Sequence, residues 1–389
     1  MRIIYITDAR IPTEKAHGYQ IMKTCEAFAA AGVAVELTVP QTANPITVDA
    51  FAFYGVRPDF LIRYLPVPQL PRSWSFPFSL IPYYASLFFF IRAARQLART
   101  EADTGTVLYT RTGALIPFLS AYAPVVYEVH GFSRLSFIFR FPYATAKHIV
   151  AVTHGIRAIL EKRGVSAQKI TVAPDGVDLS VFEKIGTREE CRAVCGVPSF
   201  AKVVGYIGRF TVFNREKGIP MLVEAMGFLR KRYPSVKLLL VGGPASSVIS
   251  YRRRADRCGF GAENILYVPH VPARDVSRFM RACDILTIPL PRSAFSVHYT
   301  SPLKMFEYMA SGTPFVVSDL PALREIVSEN NAFFAEPDSA SELTRALSFI
   351  FENPHDAERR AHRAAENVQA YTWDARAGRI LKSITALLP

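Results

Sequence analysis

The chain has 389 residues, of which 50% are apolar and 20% are charged, so it is long enough for two domains that each bury a substantial core. Its net charge of +13 favours an anionic partner such as a nucleotide, a phospholipid surface or nucleic acid. The sequence has neither a zinc-finger spacing nor an RNP-like aromatic motif, which argues against nucleic acid.

Strands and helices alternate through the first half of the chain. A strand at 3–7, a helix at 19–31 and a strand at 33–39 form a βαβ unit, which is typical of the start of an α/β domain. Further strands are predicted at 107–110, 124–129, 148–153 and 170–173. This alternation predicts a parallel sheet covered by helices, in which ligands bind beyond the carboxyl ends of the strands.

An apolar segment of 19 uncharged residues, 73–91, lies between Arg72 and Arg92. Its length approaches that of a membrane span, but Pro77, Pro82 and four serines interrupt it, so we expect no true span. Two interpretations remain: a packed helix that lines a substrate-binding surface, or insertion into a membrane interface beside the neighbouring basic residues.

A turn-rich sequence at 174–178, Pro-Asp-Gly-Val-Asp, interrupts the alternation. After it, strands are predicted at 203–207, 236–241, 265–268, 285–289 and 315–318, and helices at 221–233, 246–258, 275–282 and 303–309. The sequence therefore predicts an α/β protein with two doubly wound, Rossmann-like domains that are joined by a short hinge and face a cleft.

Glycines and cations follow the first strand of the second half. Gly208 and Arg209 end this strand, and Lys217-Gly218 opens the next helix. Glycines let the backbone approach a ligand closely, and a helix N-terminus favours an anion. Arg209 or Lys217 alone is typical of a solvated surface, but jointly with Lys304 and Glu307 of the helix at 303–309 they indicate a functional site, where a diphosphate would balance the cations.

A second helix start of this kind precedes the last predicted strand. The helix is expected to begin with Thr300 or Ser301 as N-cap and to end at a left-handed Gly312. Lys304 in its first turn is repelled by the helix dipole unless an anion such as a phosphate binds there. Glu307, one turn later, is a carboxylate that can accept both hydroxyls of a ribose.

Strand ends in the first half carry candidate substrate contacts as well. His130 directly follows the predicted strand at 124–129. A lone histidine is more often structural, but at the carboxyl end of a strand in a ligand-binding sheet a substrate contact is favoured. His17, Gly18 and Arg111 occupy comparable loops after strands, and we expect them to contact substrates too.

Several motifs of the chain resemble the signature of the retaining glycosyltransferases of family 4, which have the GT-B fold. These motifs are Gly208-Arg209, Lys217-Gly218, Val241-Gly242-Gly243, Asp284-Ile285 through Pro289, Ser301 to Thr313, and Pro174 to Asp178. The resemblance spans essentially the whole chain. It implies an N-terminal acceptor-side domain at 1–175, a C-terminal nucleotide-sugar-binding domain at 176–370, and a C-terminal helix within 371–389 that crosses back to the first domain.

The resemblance also implies roles for individual residues. In the family, the residues that match Arg209 and Lys217 bind the donor diphosphate and stabilise it as it leaves, and the residue that matches Glu307 binds the ribose. The residue that matches His130 contacts the donor sugar near the reacting centre. Further contacts are expected from Gly18, Gly208, Tyr299, Ser301, Pro302, Leu303, Lys304, His270 and Val271 on the donor side, and from His17 and Arg111 on the acceptor side.

One position departs from the family pattern. The family has a second glutamate eight residues before Glu307, where it contacts hydroxyls of the donor sugar, whereas this chain has Tyr299. The variant Ser-Pro-Leu-Lys-x-Phe-Glu-Tyr-Met-Ala still resembles a known subgroup of the family. The departure therefore affects recognition of the sugar rather than of the diphosphate. Tyr299 or His298 can supply a hydroxyl contact, and an ordinary loop role is the alternative for each.

The implied reaction moves a sugar from a nucleotide diphosphate-sugar to a hydroxyl acceptor with retention of the anomeric configuration. A glycan or a lipid-linked acceptor in cell-envelope polysaccharide assembly is expected. No metal or other cofactor is expected, because Arg209, Lys217 and a helix N-terminus can stabilise the leaving diphosphate and the chain lacks an Asp-x-Asp triplet.

Two other functions remain open at this point. A sugar-nucleotide epimerase of the same fold would need cleft carboxylates, for which Asp8, Glu14 and Glu128 are the candidates. A non-catalytic nucleotide-binding protein is the other alternative. Its main support is Tyr299, which stands where the family has a glutamate. A dinucleotide oxidoreductase is disfavoured because neither first βα loop has the pattern G-x-G-x-x-G.

Location is predicted from the cysteines and from the start of the chain. The five cysteines are scattered, which suits a reducing compartment, and residues 2–7 read as a strand rather than a secretory leader. We therefore expect a cytoplasmic protein. The aromatic and basic residues between 57 and 99 add the expectation of peripheral attachment to an anionic membrane face.

Overall fold

The computed structural model divides the chain into two compact units. The residues that the structure describes are 1–68, 80–132, 141–183, 185–212 and 215–388. One unit comprises Met1–Pro174 and Trp373–Pro389, and the other comprises Asp175–Thr372. The boundary therefore lies one residue before the predicted one, and the returning segment begins two residues later than predicted.

The first unit is built on a parallel sheet. Its strands are β1 (Arg2–Ile6), β2 (Ala34–Gln41), β3 (Leu61–Pro66), β4 (Thr106–Thr110), β5 (Val125–Val129), β6 (His148–Ala151) and β7 (Ile170–Val172). They lie in the order β3-β2-β1-β4-β5-β6-β7, and all neighbours run parallel. The chain leaves the central pair β1 and β4 in opposite directions, which is the doubly wound topology that the sequence predicted.

Helices connect these strands. They are α1 (Ala16–Ala30), α2 (Ala50–Tyr54), α3 (Leu80–Glu101), α4 (Ile116–Leu119), α5 (Phe141–Thr145) and α6 (His154–Lys162). The predicted apolar segment 73–91 falls partly on α3, while its residues 73–79, with Pro77, lie outside the described residues. Among the helices that are described, none is both long enough and apolar enough to cross a membrane.

The second unit is built on another doubly wound parallel sheet. Its strands are β8 (Val203–Arg209), β11 (Lys237–Gly243), β12 (Ile265–Val268), β13 (Ile285–Ile288), β14 (Phe315–Ser318) and β15 (Phe333–Ala335), and β9 (Thr211–Val212) and β10 (Arg215–Glu216) form a separate hairpin. The six strands lie in the order β12-β11-β8-β13-β14-β15. This order places β8 and β13 at the point where the winding reverses, which is where ligands bind in such sheets.

Both faces of this second sheet are buried. Val203 and Ile207 of β8 belong to one apolar cluster, while Val204 and Tyr206 of the same strand belong to another. The other strands and the covering helices supply the rest of both clusters. The helices are α7 (Arg188–Cys195), α8 (Ile219–Arg230), α9 (Ser246–Arg257), α10 (Ala273–Ala282), α11 (Ala294–His298), α12 (Leu303–Ala310), α13 (Pro321–Arg324), α14 (Ala340–Glu352) and α15 (Pro354–Asn367). This two-sided burial explains why the strands read as continuous apolar runs.

The last helix, α16 (Trp373–Ile384), belongs to the first unit, as the resemblance implied. The Trp373 ring packs edge-on against Tyr19 of α1, with ring centroids 6.3 Å apart. Ile380 and Ile384 are fully buried. The side chain of Arg376 is also buried and donates to the carbonyl of Pro174 over 3.1 Å. Helix α16 is therefore part of the core of the first unit.

Two edge strands, β3 and β15, and the β9–β10 pair were not predicted from the sequence. β3 runs parallel to β2, and Leu61 and Tyr64 on it are exposed. Because an edge strand buries few of its side chains, it lacks the apolar pattern by which the central strands were found.

Candidate functional site

The candidate site in the second unit is built around Gly208 at the end of β8. Gly208 has a φ of +119°, and a Cβ placed there would lie 3.2 Å from Nζ of Lys304. The hydroxyl of Tyr206 donates to the carbonyl of Arg209 over 2.8 Å and holds the strand end in place. A side chain at Gly208 would therefore crowd the Lys304 amine.

Helix α8 begins directly beside the neighbouring strand. Gly218, the N-cap residue of α8, has a φ of +85°, and a Cβ there would lie only 1.7 Å from the carbonyl oxygen of Pro289. The N–H of Lys217 donates to the carbonyl of Phe210 over 2.9 Å. These contacts bring Lys217 to the carboxyl ends of β8 and β13, as the two glycine-containing motifs predicted.

The start of α12 differs from the prediction. Its N-cap is Pro302, which has no capping side chain, and the helix begins at Leu303. The hydroxyl of Ser301 instead accepts a hydrogen bond from the N–H of Asp175 over 3.0 Å, so neither Ser301 nor Thr300 is the N-cap. Gly312 follows the helix with a φ of +65°, as predicted.

Helix α12 is anchored to β8 just before Gly208. The hydroxyl of Tyr308 accepts from the N–H of Ile207 over 3.0 Å, and Met305, Phe306 and Met309 are fully buried. Since Lys304 and Glu307 lie three residues apart on this helix, the anchor places both of them beside the end of β8.

Four charged groups form a cluster here, which we call the Lys304 cluster: Arg209, Lys217, Lys304 and Glu307. Nζ of Lys304 is buried, has no hydrogen-bond partner within the described part of the chain, and lies 3.5 Å from the centroid of the Tyr206 ring. A buried amine without a partner is unfavourable unless it is neutral or meets an anion.

The pKa values of the cluster show how close its members are. Burial, together with the guanidinium of Arg209, lowers the pKa of Lys217 to about 8. Burial and the charge of Lys217 lower the pKa of Lys304 well below its usual value, although Glu307 acts in the opposite direction. Burial raises the pKa of Glu307 to about 7, although Lys304 opposes this shift. Three cations and one carboxylate thus lie within electrostatic reach of each other.

The other predicted donor contacts of this unit lie on nearby loops. Tyr299 ends α11, with its ring 6.4 Å from Phe295 and 6.0 Å from His298. His270 is exposed after β12, and Val271 packs on the apolar cluster below it. The contacts of these three residues with the donor stay predictions.

In the first unit, the candidate residues meet at the carboxylate of Glu128. Oε1 accepts from Nε2 of Gln20 over 2.6 Å and contacts Nε2 of His130. Oε2 accepts from the hydroxyl of Tyr109 and, over 2.9 Å, from Nη2 of Arg376. All four possible partners of a carboxylate are therefore present around Glu128.

Glu128 is ionised although its side chain is fully buried. Burial alone would raise the pKa of Glu128, but Arg376, His130 and Arg111 together hold it well below its usual value. Nη1 of Arg111 reaches the same network by donating to Oε1 of Gln20 over 2.6 Å. His130 and Arg111 are thus brought together through Gln20 and Glu128.

His17 and Gly18 do not lie in a loop, as the sequence indicated, but in the first turn of α1. A Cβ at Gly18 would lie 2.1 Å from the hydroxyl oxygen of Tyr54. That hydroxyl donates to the carbonyl of Thr13 over 2.7 Å. Packing against Tyr54 is therefore a structural reason for Gly18, beside its expected donor contact.

The three carboxylates considered for an epimerase are all engaged. Glu128 is saturated and ionised, and Glu14 pairs with Arg10 over 2.9 Å. Asp8 accepts from Thr112 over 2.7 Å and from the hydroxyl of Tyr83 over 3.2 Å. Because a general base needs an accessible lone pair and a pKa near neutrality, Glu128 is poorly suited to proton abstraction.

Sequence reasoning missed the parts played by Gln20 and Arg376. The available signal was Glu128 itself, a charge within the apolar run Val125–Val129, since a buried carboxylate requires a cationic partner. The sequence did not reveal which of the chain's 46 basic residues that partner is.

Two family models match this chain. A model described as Glycosyltransferase Family 4 matches residues 18–181, and one described as Glycosyl transferases group 1 matches residues 201–353. Together these two matches cover most of both units.

Among curated relatives, the D-inositol 3-phosphate glycosyltransferase of Segniliparus rotundus is 28% identical over 225 residues, which is 57% of this chain and 48% of that protein. The phosphatidyl-myo-inositol mannosyltransferase of Mycolicibacterium smegmatis is 27% identical over 57% of this chain and 53% of that protein. The chain thus spans about half the length of the curated relatives it matches.

Among solved structures, Anabaena Alr3699/HepE in complex with UDP matches with a TM-score of 0.72 and 15% identity, over 99% of this chain and 100% of that chain. At this identity the match shows the fold alone. It confirms the α/β fold of two doubly wound sheets, GT-B, that the sequence predicted.

Proposed function

We propose that this chain, which belongs to the group 1 glycosyltransferases of family 4, transfers a sugar from a nucleoside diphosphate donor to a hydroxyl acceptor with retention of anomeric configuration. The observation that carries the proposal is the Lys304 cluster beside Gly208, at the carboxyl end of β8. Three cations around a glycine suit a diphosphate, since its oxygens can approach the backbone there.

The Lys304 cluster is proposed to assist the departure of the diphosphate leaving group. When the bond between the anomeric carbon and the phosphate oxygen breaks, negative charge grows on that oxygen, while the acceptor oxygen bonds to the carbon and gives its proton to the leaving diphosphate. Arg209 and Lys217 stabilise this charge more in the transition state than in the bound donor. We also propose that no divalent metal is needed, because three cations already offset the diphosphate charge.

Glu307 is proposed to hold the ribose of the donor. A carboxylate accepts a hydrogen bond from each of two neighbouring hydroxyls, and burial keeps its orientation constant. This contact requires the ionised form of Glu307, whose pKa burial has raised to about 7. In the first unit, His130 and Arg111 are proposed to contact the sugar substrates.

The experiment that tests the proposal is a thermal-shift screen against UDP, GDP, ADP and their sugars, followed by assay of nucleoside diphosphate release with EDTA present. A ligand at 100 times its Kd should stabilise the protein by about 2.7 kcal/mol. Release of diphosphate from one donor, without loss in EDTA, is expected. Tight binding without any turnover would favour the non-catalytic alternative, and no binding would reject the donor site.

We further propose a lipid-linked or glycan acceptor, used at an anionic membrane surface on the cytoplasmic side. Helix α3 supports this: Tyr84 and Phe88 are exposed on one face, and Arg92, Arg95 and Arg99 continue the same stripe. An aromatic end followed by a basic end is typical of helices that lie at a lipid interface. A relative named for a phosphatidyl-linked acceptor is consistent with such a substrate.

Flotation with vesicles that contain an anionic phospholipid tests this part. The triple variant Arg92→Gln, Arg95→Gln and Arg99→Gln should lose most binding at low salt, because each basic residue contributes about 1 kcal/mol near such a surface. The matched control removes the same charge from exposed arginines of α9, namely Arg252→Gln, Arg253→Gln and Arg257→Gln. Equal loss in both variants would indicate binding by net charge alone.

A further inference from the structure

We propose that Glu128 is the positioning residue of His130: its carboxylate keeps the imidazole oriented with a proton on Nε2 and favours the protonated ring. The inference rests on the proposed function only in assigning His130 to the sugar substrate.

The protonation of Nε2 follows from the state of the carboxylate. Oε1 of Glu128 is in hydrogen-bond contact with Nε2 of His130, and the buried ion pair with Arg376 keeps the carboxylate ionised. An ionised carboxylate can only accept hydrogen bonds. Nε2 must therefore be the donor, whether the imidazole is neutral or carries a charge.

The orientation follows from how firmly Glu128 is held. Arg376 and Tyr109 bind Oε2, and Gln20 binds Oε1 beside the imidazole. The side chains of Glu128 and Arg376 are 0% and 1% exposed, so neither can rotate toward solvent. A carboxylate held by three partners presents Oε1 to His130 in one direction only.

A purely structural role would not require His130 in this network. Glu128 already has a buried cationic partner in Arg376, whose Nε and Nη1 are satisfied by Pro174 and by Thr24. The side chain of His130 is 25% exposed at the carboxyl end of β5, where ligands bind in doubly wound sheets. The contact therefore constrains the orientation of His130 more than it stabilises the charge of Glu128.

The charge of Glu128 has a consequence for the chemistry of His130. A carboxylate in contact with an imidazole stabilises the protonated ring, because the two charges attract each other. A protonated imidazole donates from both ring nitrogens, whereas a neutral imidazole donates from only one. Glu128 thus biases His130 toward donating, while it does not touch the substrate itself.

Nuclear magnetic resonance of the full-length protein with 15N-labelled histidine tests the inference without any substrate. The chain has eight histidines, so the His130→Gln variant assigns the resonances. We expect ring nitrogen shifts that show protonated Nε2 in the wild-type protein. In Glu128→Gln we expect the titration midpoint of this ring to fall by about one pH unit, because the neighbouring negative charge is lost.

Kinetics supply the second readout once a donor has been identified. Glu128→Gln should lower kcat at least tenfold at neutral pH, with the KM for the donor within about threefold, since the diphosphate contacts are unchanged. The kcat of this variant should recover in part as the pH is lowered, because acid restores the protonated ring.

Glu36→Gln is the matched control, since Glu36 is also a buried carboxylate of this sheet and pairs with Arg2 over 2.7 Å. This variant should leave the His130 resonances unchanged. A wild-type spectrum with the proton on Nδ1 alone would overturn the inference, even if Glu128→Gln does not fold. Unchanged His130 titration in a folded Glu128→Gln protein would overturn it as well, whereas absence of turnover with the expected spectra would count only against the proposed function.

Discussion

The two units differ in whether their buried charged groups have partners within the protein. In the first unit, Glu128 and Arg376 are almost completely buried, and each has a full set of partners. In the second unit, the buried Nζ of Lys304 has no hydrogen-bond partner among the described residues. The charged group with the largest effect on its pKa is another cation, Lys217. The first arrangement is complete without a ligand and stabilises the fold. The second carries excess positive charge, which an anionic substrate would balance.

The largest expected effect comes from breaking the complete network. Arg376→Met leaves the Glu128 carboxylate buried without its cation, which should lower the free energy of unfolding by about 3–5 kcal/mol. Urea unfolding followed by tryptophan fluorescence measures this effect, because Trp373 lies on the same helix of the first unit as Arg376.

Arg63→Met is the control for this prediction. Arg63 pairs with the buried Glu36, but Arg2 contacts the same carboxylate, and Arg63 is itself 40% exposed. Its loss should therefore cost much less than the loss of Arg376. A cost below about 1 kcal/mol for Arg376→Met would contradict the view that this network supports the first unit.

The next largest effect is expected on kcat, when a cation of the Lys304 cluster is removed. Lys217→Met should lower kcat by about 100-fold to 1,000-fold, because a contact that stabilises charge in the transition state is lost. Release of nucleoside diphosphate from the donor found in the ligand screen provides the rate. Lys231→Met, an exposed lysine after α8, should retain full activity. Turnover of Lys217→Met within threefold of the wild type would refute the role in the leaving step.

A third variant should have the opposite effect on stability from Arg376→Met. Lys304→Met removes a buried amine without a hydrogen-bond partner and places a thioether against the Tyr206 ring. We expect the free energy of unfolding to rise by about 1–3 kcal/mol, while affinity for nucleoside diphosphates falls.

Thermal unfolding with and without UDP or GDP separates these two effects of Lys304→Met. The variant should melt at a higher temperature than the wild type without a ligand and should gain less stability from the nucleotide. A lower melting temperature without the ligand would show that the ammonium contributes to the fold, and the contrast between the two units would then fail.

The sequence predicted the local parts of both sites and missed the distant ones. Gly208, Lys217, Lys304 and Glu307 were found because glycines at strand ends and charges in a first helical turn are local patterns. Helix α1 starts earlier than its apolar pattern indicated, so the prediction placed His17 in a loop instead of a helix.

Pairings over long sequence distances leave no local pattern. Arg376 and Glu128 are 248 residues apart, and Ser301 meets the N–H of Asp175 across 126 residues. The hydroxyl of Ser301 can cap its own helix or accept from a distant amide, and only the tertiary structure decides between these bonds. The fold class could therefore be read from the sequence, while the supporting network of His130 could not.

The smallest expected effect is the pH dependence of nucleoside diphosphate binding, which reports directly on the excess charge of the second unit. Lys217, whose pKa is about 8, loses its proton as the pH rises, and the anion then binds more weakly. Glu307, whose pKa is about 7, gains a proton as the pH falls, and its ribose contact is then lost. Affinity should therefore be greatest between about pH 7 and 8 and should change by at most tenfold per pH unit on either side.

Isothermal titration calorimetry with UDP or GDP in two buffers of different ionisation enthalpy resolves this dependence into protons. On the alkaline side, binding should take up a proton, because the diphosphate favours charged Lys217. On the acid side it should release one, because the ribose favours ionised Glu307. Glu307→Gln should abolish the acid-side release and leave the alkaline uptake intact. Binding that exchanges no protons at either pH would show that the cluster is already balanced within the protein, as the Glu128 network of the first unit is.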